Sequence, residues 1–143
     1  MNVIFISNIV FEPYWSEYIK YSLYTITRSI KSEYIAYDEL QNYVNNIESA
    51  EIIAVCLNIN TFYPDLSVDV ISGELTYEDI EKDCIRMCAE LYSAIKAHTY
   101  ALIIWFGFED YSYLLSKICG TIPSFCGLVD KLNLTLGNML NDV

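Results

Sequence analysis

A chain of 143 residues is the length of one domain and can bury a sizeable core. With 54% hydrophobic and 19% charged residues it is not a disordered segment, and a net charge of −11 with only eight Lys and Arg excludes a phosphate-binding, nucleic-acid surface. The start, MNVIFISNIVF, lacks a secretory leader's basic region and cleavage site, and the longest apolar stretch, Tyr100 to Phe108, is about half the ~20 residues that span a bilayer, so a cytoplasmic protein without membrane contact is expected.

Val3 to Ile6 is a short apolar run closed by Ser7-Asn8, the pattern of a strand buried on both faces and followed by a turn. Glu12-Pro13 opens a helix, because proline fits a first turn, and Trp15, Tyr18, Ile19, Ser22, Leu23, Ile26 and Ile30 share one face of it. Tyr34 to Tyr37 reads as a weaker second strand, and the polar stretch Asp38 to Glu48 as the place of a short helix. Glu51 to Leu57, EIIAVCL, is the clearest strand, and its tip is Asn58-Ile59-Asn60-Thr61. The connection from Phe62 to Leu75, with Pro64 and Gly73, reads as a long binding loop.

Thr76 caps the next helix, with Glu78 and Asp79 at its positive end and Lys96 and His98 near its negative end. Ile80, Cys84, Met87, Cys88, Leu91 and Ile95 form its apolar stripe. Ala101 to Phe106 is a wholly apolar fourth strand, leaving through Gly107-Phe108-Glu109-Asp110. Ser124 caps a last helix lined by Phe125, Leu128, Val129, Leu132, Leu136, Met139 and Leu140. The sequence holds no internal repeat, low-complexity tract or linker to a second domain.

Strands alternating with helices give an α/β fold of three layers, flavodoxin/SGNH-like, with a parallel sheet in the order 2-1-3-4. The pattern asks for one more strand after Val143, so the expectation is a single domain over residues 1–143 that is incomplete at its C-terminus. Ligands of such sheets settle beyond the carboxyl ends of the strands where the strand order reverses. That rule puts Ser7 and Asn8 on one wall, Asn58, Asn60 and Thr61 on the other, and Tyr14, Trp15 and Tyr18 at the rim. The fourth strand is an apolar edge, so Ala101, Ile103, Ile104 and Phe106 are the expected interaction edge, covered by a later segment, a second copy or a partner.

A serine after the first strand and Asn60 after the third make the chain similar to the SGNH hydrolase fold. In that family the serine is the nucleophile, the asparagine helps form the oxyanion hole, and a late Asp-x-x-His supplies the base with its orienting acid. A closer resemblance is to the SGNH-like amino-terminal domain of FkbH-like proteins, carried by Ile4 to Pro13 (IFISNIVFEP), Ser49 to Leu66 (SAEIIAVCLNINTFYPDL) and Gly127 to Leu140 (GLVDKLNLTLGNML). Those proteins load glyceryl units onto acyl carrier proteins in natural-product biosynthesis. The resemblance implies Ser7 and Asn60 as catalytic candidates and Asn8, Asn58 and Thr61 as ligand contacts. As partners it implies an acyl carrier protein or a downstream haloacid-dehalogenase-type (HAD-type) domain, with a homodimer through the fourth-strand edge as a further option. It brings no metal and no cofactor.

The departures from the hydrolase pattern weigh more than the matches. Ile6-Ser7-Asn8 stands where Gly-Asp-Ser belongs, Asn58-Ile59-Asn60-Thr61 stands for Gly-x-Asn-Asp, and the second-block glycine has no counterpart. The Asp-x-x-His would fall past Val143, and His98 leads into the bottom of the fourth strand, on the wrong side of the sheet from Ser7. A serine without a base in reach is a poor nucleophile. The reading is therefore a non-catalytic docking or binding module. The alternative is an SGNH-class esterase or acyltransferase whose Asp-x-x-His comes from absent residues or another chain.

A flavodoxin-like nucleotide binder ranks third, since Asn8-Ile9-Val10-Phe11 is not a glycine-rich phosphate loop. Each polar candidate also has a plain structural role open to it. Ser7 and Asn8 can satisfy backbone groups in a tight turn, Asn58 and Asn60 can cap a loop, Glu109-Asp110 can be a solvated exit, and His98 can be a helix-end charge. The five cysteines, Cys56, Cys84, Cys88, Cys119 and Cys126, contain no CxxC pair and read as buried thiols.

Overall fold

Four parallel strands, β1 (Asn2–Ser7), β2 (Lys31–Ala36), β3 (Ile52–Cys56) and β4 (Leu102–Phe106), form one sheet in the order β2-β1-β3-β4, in a computed structural model that describes residues 1–9, 31–108 and 125–141. The α/β fold and strand order expected from the alternation are those observed. Between the strands lie a 3-10 helix (Tyr37–Tyr43) with α1 (Val44–Glu48), then α2 (Ile59–Phe62), α3 (Leu66–Ser72) and α4 (Tyr77–His98), and after β4 comes α5 (Phe125–Asn141). The helix read from Glu12-Pro13 to Ile30, the rim residues Tyr14, Trp15 and Tyr18, the Glu109-Asp110 exit, Cys119 and the Ser124 cap lie outside the described residues.

The chain divides into two compact units: Met1–Asn58 with Ala94–Phe106, and Ile59–Ser93 with Gly107–Val143. The first holds the sheet. Its register aligns Phe5 with Tyr34, Ala54 and Ile104, and Ile6 with Ile35, Val55 and Trp105, so alternate rows face opposite sides. On one side Ile4, Ile6, Ile35, Ile53 and Val55 are buried, flanked by half-buried Ile103 and Trp105 on β4 and by exposed Lys31 and Glu33 on β2. Removing each such side chain from water contributes roughly 1.5–3 kcal/mol, which makes these five the main stabilising layer of the unit. The other side is buried at Val3, Ser7 and Ala54, but Leu102, Ile104 and Phe106 on β4 stand exposed.

β1 and β3 are apolar because both of their faces and both of their edges are occupied. β2 starts three residues before the expected Tyr34, at Lys31, and its Tyr37 belongs to the 3-10 helix. An outer strand tolerates exposed Lys31 and Glu33, so apolarity alone marks only its inner half.

The second unit corrects the expected long loop at Phe62 to Leu75. Pro64 separates two short helices, and Gly73 ends α3 in the left-handed conformation at φ 80°, its N–H donating to the Val70 carbonyl at 3.3 Å. Proline and glycine here punctuate helices and do not mark an open loop. Thr76 caps α4 as expected: its Oγ1 accepts the Asp79 N–H at 3.2 Å and donates to the Asp79 carboxylate at 2.5 Å. Ile80, Cys84, Cys88, Leu91 and Ile95 are buried along α4, and Leu128, Val129, Leu132 and Leu136 along α5. A charge placed at position 84 would break that stripe.

Candidate functional site

The carboxyl ends of β1 and β3 carry the polar residues on which any chemistry would depend. Ser7 is fully buried at the last rung of β1, paired in register with Cys56. Its Oγ accepts the Ile9 N–H at 3.0 Å, a two-residue turn closed by a hydroxyl. Tyr34 reaches over from β2, and its phenol donates to the Ile9 carbonyl at 2.8 Å and to the Ser7 carbonyl at 3.3 Å. Burial raises the Tyr34 phenol above its ordinary value, and the charges of Asp38 and Glu39 add to the shift, so it remains a proton donor at neutral pH.

Asn8 follows with a second closure. Its Oδ1 accepts the Asn58 N–H at 2.7 Å, and its Nδ2 donates to the Asn58 carbonyl at 2.8 Å. A carboxamide presents the same donor and acceptor as a peptide, so Asn8 adds one side-chain rung to the β1–β3 ladder beyond Ser7. The sequence candidates Ser7, Asn8 and Asn58 thus meet in one hydrogen-bonded turn. Asn60 and Thr61 lie in the second unit, exposed on α2.

The single histidine is far from that turn. His98 ends α4, is exposed, and precedes Leu102, which is level in register with Ile52 and so with Val3 at the start of β1. Val3 and Ser7 lie four residues apart, a rise of about 13 Å along the strand. His98 therefore sits at the opposite end of the sheet from the Ser7 hydroxyl.

In the second unit Asn133 repeats the Asn8 device. From α5, its Oδ1 accepts the Phe108 N–H at 2.7 Å and its Nδ2 donates to the Phe108 carbonyl at 2.9 Å. Gly107 is required by this approach, because a Cβ there would lie 2.8 Å from Asn133 Oδ1. Phe108 is buried rather than part of a polar exit. The sequence reading missed both Asn133 and Tyr34. The available signal for Asn133 was a helix-disfavouring side chain directly after the fully buried Leu132.

A hollow of about 360 Å³ in the same unit is lined by Tyr63, Leu75, Asp79, Lys82, Asp83 and Arg86. Tyr63 donates to Asp83 at 2.8 Å, Arg86 pairs with Asp83 and, at 3.2 Å, with Glu90, and Lys82 pairs with Glu78 at 2.9 Å. The Arg86 bond first, then the Tyr63 bond, holds the Asp83 carboxyl below its ordinary value, while burial and then Asp83 push the Tyr63 phenol well above its own. Each cation there already has an acidic partner, so the hollow offers no net positive charge to an anion. A second hollow of about 410 Å³, lined by Asn2, Lys31, Ser32 and Asn46 among others, lies at the amino ends of β1 and β2, away from the turn.

Burial pushes the Cys84 and Cys88 thiols up to about 12, which leaves them protonated and unreactive at neutral pH. Among the described residues no group of three or more His, Cys, Asp or Glu could hold a metal ion, and no helix is long and apolar enough to cross a membrane. Of the expected interaction edge, Ala101 is buried and precedes the strand, Ile103 is half-buried, and Ile104 and Phe106 are exposed together with Leu102. No family model, curated protein or solved structure matches the chain.

Proposed function

We propose that this chain is a non-catalytic SGNH-like docking module of the kind found in FkbH-like biosynthetic proteins. Its partner on this reading is an acyl carrier protein or a HAD-type domain, and the outer edge of β4 is an interaction edge open also to a second copy. One observation carries the non-catalytic half: the Ser7 side chain is fully buried, and its hydroxyl oxygen accepts the Ile9 N–H. A nucleophile must present its oxygen to the substrate and find a base in hydrogen-bond reach. Ser7 faces a backbone amide instead, and His98 stands at the far end of the strands.

The neighbouring Asn8 supports the same reading, because both ends of its carboxamide are engaged by the Asn58 peptide. Asn60 is exposed on α2, in the second unit. Turnover of short-chain p-nitrophenyl esters is the test. Wild type and Ser7→Ala should both run at the uncatalysed background, and a wild-type rate that Ser7→Ala abolishes would favour the esterase or acyltransferase reading.

A further inference from the structure

The docking reading leaves open what occupies the β4 edge, and the two edges of the sheet differ in a way that selects it. β2 carries exposed Lys31 and Glu33, charges that would be stripped of water by an added strand and so block one. β4, LIIWF, carries no charge, and neither a charged residue nor a proline occurs from Thr99 to Phe108. Its register with β3 is unbroken, and no second neighbour lies beside it among the described residues. Leu102, Ile104 and Phe106 are 62%, 41% and 51% exposed on one sheet face, and Tyr100 just before them is fully exposed.

These four side chains present roughly 500 Å² of largely apolar surface, against about 800 Å² per partner in a standard interface. The strand's outer edge and the half-buried Ile103 and Trp105 can supply the remainder. A partner recognised by charge would find nothing to pair with on this strand.

Resting on the reading of β4 as the contact edge, we propose that its occupant is β4 of a second copy, antiparallel about a twofold axis through Ile104. Full overlap of the five-residue strand sets Ile104 against its twin and Leu102 opposite Phe106, which gives aliphatic–aromatic cross-strand pairs at both ends. The arrangement is isologous, and the charges on β2 prevent propagation from β4 to β2, so assembly stops at two copies. Two chains of net charge −11 repel, so the dimer tightens as salt screens them.

Sedimentation velocity should give twice the 16.5 kDa chain mass for wild type, and the single-chain mass for Ile104→Lys with an unchanged far-ultraviolet circular dichroism spectrum. As an independent check of register, Ile104→Cys should cross-link to itself under mild oxidation above the wild-type background, whereas Leu102→Cys should require Phe106→Cys in the other copy. A wild type that stays monomeric at the highest attainable concentration, or a dimer that survives Ile104→Lys, overturns the proposal. If monomeric wild type instead binds purified acyl carrier protein and Ile104→Lys loses it, the second copy is refuted and the docking reading of β4 stands. If Ile104→Lys alters neither, both fall.

Discussion

Replacing Asn8 with alanine separates a structural turn from a ligand contact. The substitution removes two hydrogen bonds, the one that Asn8 Oδ1 accepts from the Asn58 N–H at 2.7 Å and the one that Asn8 Nδ2 donates to the Asn58 carbonyl at 2.8 Å, and leaves a part-buried peptide without those partners. A net hydrogen bond is worth ~1 kcal/mol, and a stranded buried polar group costs more than that. Water reaches a part-buried site and offsets some of the loss, so the expected destabilisation is about 2 kcal/mol. For a chain of this size that corresponds to a Tm lower by roughly 6 °C.

Urea denaturation followed by circular dichroism measures it, and the denaturant slope should not change, because the unfolded surface is the same. Asn8→Asp keeps the acceptor for the Asn58 N–H but sets a charge against the Asn58 carbonyl, and should recover less than half of the loss. Asn8→Ala within about 0.5 kcal/mol of wild type would refute the reasoning, since the carboxamide would then contribute nothing as a rung.

The bracket at β4's exit makes a parallel prediction. Gly107→Ala places a Cβ 2.8 Å from Asn133 Oδ1 and should cost about 1–3 kcal/mol, and Asn133→Ala about 2 kcal/mol, with the double variant clearly less than the sum in denaturation experiments, because both act on one contact. Alkali should also destabilise the fold through its buried thiols. The folded Cys84 and Cys88 hold their protons to about 12, against an ordinary value of 9.0, so above pH 9 the unfolded chain binds fewer protons and stability falls with rising pH. Their contribution is intact below pH 9 and lost by pH 12. Urea midpoints at pH 8 and pH 10.5 read it, and Cys84→Ala/Cys88→Ala should reduce the drop.

What the sequence made legible follows from burial on two sides. β1, β3 and β4 stand out as apolar runs, and α4 is marked at both ends by Thr76 and by Lys96 with His98. β2 was only half visible, because at the sheet's outer edge only Ile35 is buried, while Lys31 and Glu33 on the same side stay exposed to water. The helices α2 and α3 were hidden by Pro64 and Gly73, whose loop-forming tendency is local while the helical turns between them are held by Leu66, which is buried. At the turn after β1 the residue types were readable, but not their direction. Whether Ser7 aims its hydroxyl at a ligand or at the Ile9 amide depends on the backbone path, and Tyr34, which fixes that path, lies 27 residues away in sequence. Asn133 was hidden likewise, since its partner Phe108 is 25 residues away.

The account rests on Ser7 being a structural hydroxyl, and covalent labelling addresses that most directly. Incubation with an excess of an active-site fluorophosphonate, followed by peptide mass spectrometry, should find the Ser7 peptide unmodified in the folded protein. A stoichiometric adduct on Ser7 in wild type, absent from Ser7→Ala, would show an exposed and activated oxygen and contradict the account.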